Sequence, residues 1–308
     1  MTVKPNHYDH HEPTSIDAVH ELWDGLRECP VRRSEAYGGM WVVSGFPEAA
    51  QILQQPEIFS SCPVSIPPFP QAAPMVPVEI DPPNHSRYRN LLAPPFSVRR
   101  AESYAEPLRV IVNDLIDEFI EKGECDVYQT MAVRVPAAMA TIMLGTPPED
   151  AVRLEAWADT IVHEVTRDLA AAGAAVIEVY QYFYELLEKR RTKPGDDDLM
   201  TLLVQAELDG EKLNEEELLG FCLFLLLASI DTTQKAIGSI FWHLAQKPEL
   251  RRQLRGDPSL TAGAVEEFLR RIPDFEIADE SQVVWSHGQV QGVVRLPIRF
   301  EPGPRERP

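Results

Sequence analysis

Residues 214–246 read NEEELLGFCLFLLLASIDTTQKAIGSIFWHLAQ. Asn214 is a good N-cap, and Glu215, Glu216 and Glu217 favour the positive end of a helix dipole. From Leu218 to Ile230 the chain is almost wholly apolar for thirteen residues, and Asp231 ends the run. A bilayer span needs about 20 such residues, so the run predicts a buried core helix. Continued to Gln246, the helix exceeds 30 residues and is apolar nearly all round at its middle. Such a helix belongs at the centre of a large domain.

Upstream of it, helical periodicity recurs over Pro83–Leu92, Val98–Lys122, Met131–Leu144, Pro148–Arg167, Ala170–Arg191 and Leu199–Glu207. Lys193 to Asp198 breaks the pattern, and Asp209-Gly210 is a turn. Further back, Ser15–Glu28 and Pro47–Gln54 read as helices and Met40–Ser44 as a short strand. Cys62–Pro83 holds eight prolines, a density that no helix or central strand survives. It predicts a long ordered loop or a lid. Downstream, Pro248–Leu254 and Leu260–Arg271 are helical. Val283, Val284, Val290, Val293, Val294, Leu296, Ile298 and Phe300 then lie among glycines as a β-hairpin or two short strands. Residues 1–14 and 303–308 read as tails around one domain over 15–302. The fold class is mainly α, with small β parts.

The 308 residues are sufficient for a large core, and the composition is that of a globular chain. A formal net charge of −19 argues against broad binding to nucleic acid or anionic membranes. Cys29, Cys62, Cys125 and Cys222 are far apart, with no Cys-x-x-Cys or Cys/His cluster, so no zinc site is expected. The polar opening has no apolar signal core. Free thiols in a reducing cytoplasm are the expectation.

Three short motifs carry chemistry. Asp231-Thr232-Thr233 sits inside the apolar helix, where a buried carboxylate is costly without a partner. The plainer reading pairs Asp231 with an arginine and lets the threonines bond back to the preceding turn. The functional one relays protons through a carboxylate and a hydroxyl. His85 and Arg89 lie four apart on one helix face after Asp81-Pro82-Pro83. They form either a solvated basic face or a grip on an anionic group. Glu267 and Arg270 are three apart and read as a surface ion pair or a buried structural one.

In this order, Asp-Pro-Pro-x-His-x-x-x-Arg, Asp-Thr-Thr on a long helix and Glu-x-x-Arg resemble the cytochrome P450 family. The stretch Glu79–Arg89 is similar to the start of that family's helix C. Ile272–Phe275 and Gly288–Pro297 are similar to the last segments of soluble bacterial members of the camphor-hydroxylase kind. The resemblance implies a heme-dependent monooxygenase that hydroxylates a small hydrophobic substrate with dioxygen and electrons from a ferredoxin. It implies that His85 and Arg89 hold a heme propionate and that Ala228 lies over the heme face. By the same resemblance Thr232, with Asp231, delivers protons to bound dioxygen, and Glu267 with Arg270 is the structural pair of helix K. Cys62–Pro83 matches the substrate-gating loop, and Val162–Ala175 the pocket region. Ser229 stands where the family usually has glycine. Arg87, Arg99 and Arg100 offer a basic patch for an acidic redox partner, or a solvated face.

One hallmark is missing. The family's Phe-x-x-Gly-x-x-x-Cys-x-Gly loop, whose thiolate binds the heme iron, occurs nowhere in the chain. Helix K runs straight into Ile272-Pro273-Asp274-Phe275, which in the family follow helix L. The pattern implies an in-frame internal deletion with its junction at Arg271–Ile272. The expectation is an incomplete domain that exposes the face meant for heme, binds heme poorly and is inactive. The alternative is a heme-free P450-like helper that binds a partner enzyme.

Overall fold

The computed structural model describes residues 8–9, 11, 25–70, 72–195, 197–257, 275–277, 282–286 and 292–303. The architecture is mainly α with small antiparallel sheets, as the sequence implies. A hairpin β1 (Val31–Ser34) and β2 (Met40–Val43) leads into α1 (Phe46–Leu53). After the Pro-rich loop come α2 (Asn84–Leu92), α3 (Val98–Ser103), α4 (Ala105–Asp117), β3 (Glu124–Asp126), a π-turn (Tyr128–Ala132) and α5 (Arg134–Leu144). Next follow α6 (Ala151–His163), α7 (Leu169–Thr192), α8 (Leu199–Gln205) and the tight hairpin β4 (Glu207–Leu208) and β5 (Glu211–Lys212). Then come α9 (Glu215–Gln246) and α10 (Pro248–Gly256). The chain closes with β6 (Phe275–Ile277), β7 (Val284–Ser286), β8 (Gly292–Arg295) and β9 (Pro297–Phe300).

The long helix α9 is the axis. Asn214 caps it reciprocally: its Oδ1 accepts from Glu217 N at 3.0 Å while Glu217 Oε2 accepts from Asn214 N at 2.7 Å. It runs unbroken to Lys247-Pro248, where proline stops it. Its first half is buried against α6, α7 and α8 in the larger core, with Phe183, Leu187, Phe221 and Leu226 fully enclosed. Its second half enters a smaller core through Phe241 and Leu244, with α4, the π-turn and β9. Strand β9 forms the centre of a three-stranded sheet, between β3 and β6. Cys125 stands opposite Ile298, and Leu296 N donates to Asp126 Oδ1 at 2.9 Å.

Local chemistry explains the boundaries. The helix expected over Val98–Lys122 is broken at Tyr104, because Pro107 lies in the first turn of α4, where its missing N–H costs nothing. Helix α5 ends at Gly145, whose φ of 72° suits glycine; a Cβ there would lie 2.5 Å from Asp198 Cγ. Asp198 in turn caps α8 by accepting from Thr201 N at 2.7 Å and accepts from Arg190 Nε at 3.0 Å. In the N-terminal stretch, Tyr8 N donates to Ser34 Oγ at 3.0 Å and Tyr37 OH to Asp9 Oδ1 at 2.6 Å. The helices expected over most of Ser15–Glu28 and over Leu260–Arg271 lie outside the described residues, with Glu267, Arg270 and the Arg271–Ile272 junction. Among the described residues no helix is long and apolar enough to cross a membrane.

Helix α1 is amphipathic, yet none of its residues is buried; Phe46 is 85% and Leu53 82% exposed, seven apart on one face. Trp41 and Ile58 are also largely exposed. Apolar surface of this kind gives self-association. Changing Phe46 and Leu53 together to serine is expected to move stability by no more than about 0.5 kcal/mol per site while reducing light scattering. A loss of several times that in urea unfolding would mean that α1 is packed in solution.

Candidate functional site

The candidate site is centred on the middle of α9. Ala228, Thr232, Ala236 and Ile240 recur every four residues and form an exposed stripe on a helix otherwise largely enclosed. Thr232 Oγ1 donates to Ala228 O at 3.0 Å, and Ser229 Oγ to Leu226 O at 3.1 Å. Both hydroxyls therefore bond back to their own helix, the plainer of the two readings. Asp231, one residue before Thr232, points to a different side and is 3% exposed. Its partners are not an arginine. Its Oδ1 meets His163 Nε2 at 3.0 Å, at the end of α6, and Lys235 Nζ at 3.5 Å. Burial pushes the Asp231 carboxyl up, but the His163 hydrogen bond and the Lys235 charge outweigh it and hold the group below the usual carboxylate range. Asp231 Oδ2 has no hydrogen-bond partner among the described residues. Lys235 is 4% exposed and donates to Tyr128 OH at 2.8 Å, and Tyr128 OH reaches Gln234 Oε1 at 3.3 Å. A buried polar network thus flanks the exposed stripe on a neighbouring side of the helix. His163 and Tyr128 gave no signal in the sequence; Lys235 did, being four residues after Asp231.

The second element is α2. Tyr88 donates to Glu217 and packs against Phe221, which sets α2 on the first turns of α9. On α2, His85 is half-buried, with Nδ1 3.1 Å from Pro77 O. Arg89 is exposed, with no ion pair among the described residues. The Pro-rich loop is ordered over α9. Its Met75 and Val76 are buried, and Ala73 N donates to Tyr180 OH of α7 at 2.7 Å. Gly220 permits that approach, because a Cβ there would sit 2.4 Å from Pro74 O. Two of the three arginines of the basic patch are paired: Arg87 with Asp209, and Arg100 with Asp197 at 2.6 Å.

Fold and site together define a mainly helical protein built around one long central helix, with an exposed stripe on that helix beside a buried polar network. The chain belongs to the cytochrome P450 family, whose family model, described as Cytochrome P450, matches residues 77–265, more than half of it. Vitamin D(3) 25-hydroxylase of Pseudonocardia autotrophica is 31% identical over 259 residues, covering 82% of this chain and 64% of the relative. Cytochrome P450 monooxygenase PikC of Streptomyces venezuelae is 32% identical over 250 residues, covering 79% and 60%. The chain spans less than two thirds of the length of these relatives. A solved P450 EryK mutant in complex with erythromycin B matches the fold with a TM-score of 0.82 at 20% identity, over 95% of this chain and 98% of that one.

Membership in the family implies heme as the cofactor. The described residues fit heme on one side only. The bare Ala228–Thr232 stripe and unpaired Arg89 suit its distal face and a propionate. None of the four cysteines lies in a Phe-x-x-Gly-x-x-x-Cys-x-Gly sequence. Cys222 is buried against Met200, and burial raises its thiol strongly. Burial pushes Cys125 up to about 12. Burial, with Glu79 and Asp81 beside it, raises Cys62. The described residues contain no group of three His, Cys, Asp or Glu able to hold a metal.

Proposed function

We propose that the chain is an incomplete cytochrome P450, with the distal half of a monooxygenase site and without the thiolate that would complete it. The observation that carries this is the pairing of an exposed Ala228–Thr232 stripe with a sequence in which the family's heme-ligand loop does not occur. In this reading residues 15–302 are one domain with its junction at Arg271–Ile272. His85 and Arg89 are the propionate-side pair, Ala228 faces the heme, and Asp231 with Thr232 is the proton-handling pair. Glu267 and Arg270 hold the scaffold. The complete enzyme of this lineage is a cytoplasmic monooxygenase fed by a ferredoxin-type donor. Its substrate is hydrophobic and held between the Pro-rich loop, the 162–175 region and α9. The relatives' names include a vitamin D(3) hydroxylase and a mycinamicin IV hydroxylase, which supports apolar substrates beyond the smallest.

The test is spectroscopic. Purified chain titrated with hemin, reduced and exposed to carbon monoxide is expected to lack the red-shifted Soret band of thiolate-ligated iron. A full-strength band overturns the proposal. The exposed stripe and α1 face also favour the second reading, a heme-free helper that uses this apolar surface to bind an enzyme. A stoichiometric complex on co-purification supports that reading, and a monodisperse, partner-free chain counts against it.

A further inference from the structure

Two carboxylates close the neck of the Pro-rich loop. Glu79 Oε1 accepts from Val64 N at 2.7 Å, and Glu79 Oε2 accepts from Met75 N at 2.7 Å. One side chain thus holds two amides eleven residues apart. Asp81 Oδ1 accepts from Ser61 N at 2.9 Å, just outside the neck. Hydrogen bonds from Ser60 and Ser61 hold the Asp81 carboxyl below its usual range. Eight prolines between 62 and 83 remove backbone donors, so this stretch cannot brace itself with a ladder. The remaining amides need acceptors from elsewhere, and the carboxylates supply them.

The neck bears on the site. Between the clamped amides, Phe69 and Ala72 pack against the larger core, and Ala73 is tied to Tyr180. Two residues beyond Met75, Pro77 O meets His85. The same short segment therefore joins the loop wall to the first residue of the α2 pair.

We propose that Glu79 is a positioning residue for this wall: its carboxylate ties the Val64 and Met75 ends of the loop together and holds Phe69, Ala72 and Ala73 against α7 and the larger core. The proposal rests on the reading of the Pro-rich loop as a pocket wall. Charge-assisted bonds of this kind are the strong ones, and the bonds from Val64 and Met75 both end on one group.

Hydrogen exchange of the full chain, without heme or substrate, tests it. In Glu79→Ala, peptides covering 62–76 are expected to exchange on the order of tenfold faster, with a clearly smaller acceleration in peptides from 215–246. Glu79→Gln keeps one acceptor oxygen and is expected to restore protection in part. Unchanged exchange over 62–76 overturns the proposal, and so does an acceleration spread evenly over the chain. The carbon monoxide spectrum has no bearing on this result, so the two readings fail separately.

Discussion

Asp231→Ala is expected to destabilise the chain by about 3–5 kcal/mol, the cost of breaking a buried pair from one side. The carboxylate is the shared partner of His163 and Lys235, and both of those side chains are largely enclosed. Removing it leaves Lys235 nearly buried, with Tyr128 OH as its remaining close partner. A fall in the urea midpoint with an unchanged slope would confirm the effect. A loss under 1 kcal/mol would show that the network is solvated and contributes little. The pH dependence has a defined sign. The folded carboxyl is held below its unfolded value of about 3.9. Its contribution is therefore full above that pH and is lost as pH falls through the lower folded value. In Asp231→Asn, this acid-side loss between pH 5 and the folded value should be reduced, about as far as a single carboxyl contributes.

Gly220→Val is expected to cost about 3 kcal/mol, at the upper end of overpacking effects. A Cβ at 220 falls 2.4 Å from the Pro74 carbonyl oxygen and 3.2 Å from Val76 Cγ2. The nearer obstacle is backbone, so it cannot swing away like a side-chain tip. Either α9 or the loop must move, and both carry buried residues of the larger core. Alanine at this position should already cost a substantial part of the loss. The check is the unfolding midpoint, read alongside exchange protection at Met75 and Val76. If both stay at wild-type values in Gly220→Val, the loop does not rest on α9 as described.

Much of this fold is legible in sequence because its strongest signals are local. The Asn214 cap, the apolar run and the Lys247-Pro248 stop delimit α9 without outside help. The break at Tyr104 was also readable, since Pro107 marks a helix start, but the apolar periodicity on either side hides it. The site divides differently. Asp231 and Thr232 are adjacent, and sequence places them in one motif. A step of about 100° around the helix sends one to a buried network and the other to an exposed stripe. Their partners come from other elements: His163 lies 68 residues away. The acids that pair with Arg87 and Arg100 are hidden for the same reason, because Asp209 and Asp197 sit about a hundred residues beyond them. Glu79 reads as one acid in a Pro-rich stretch, and only the folded loop shows two amides on its carboxylate.

The seam between β3 and β9 has a consequence for assembly. It joins residues 124–126 to 297–299 in antiparallel register. The entropy of closing so long a loop grows only logarithmically, by about 0.6 kcal/mol for each doubling of length. Adding or removing a large block between the two strands changes that cost by well under 1 kcal/mol. The seam is therefore nearly blind to how much chain lies between its edges. On the ribosome, β3 must wait as an open edge while the helices from α4 to α9 condense, and the last strand arrives to cover it. A chain shortened between α10 and β6 can still close its final sheet, so an intact C-terminal seam is no evidence that the interior is whole.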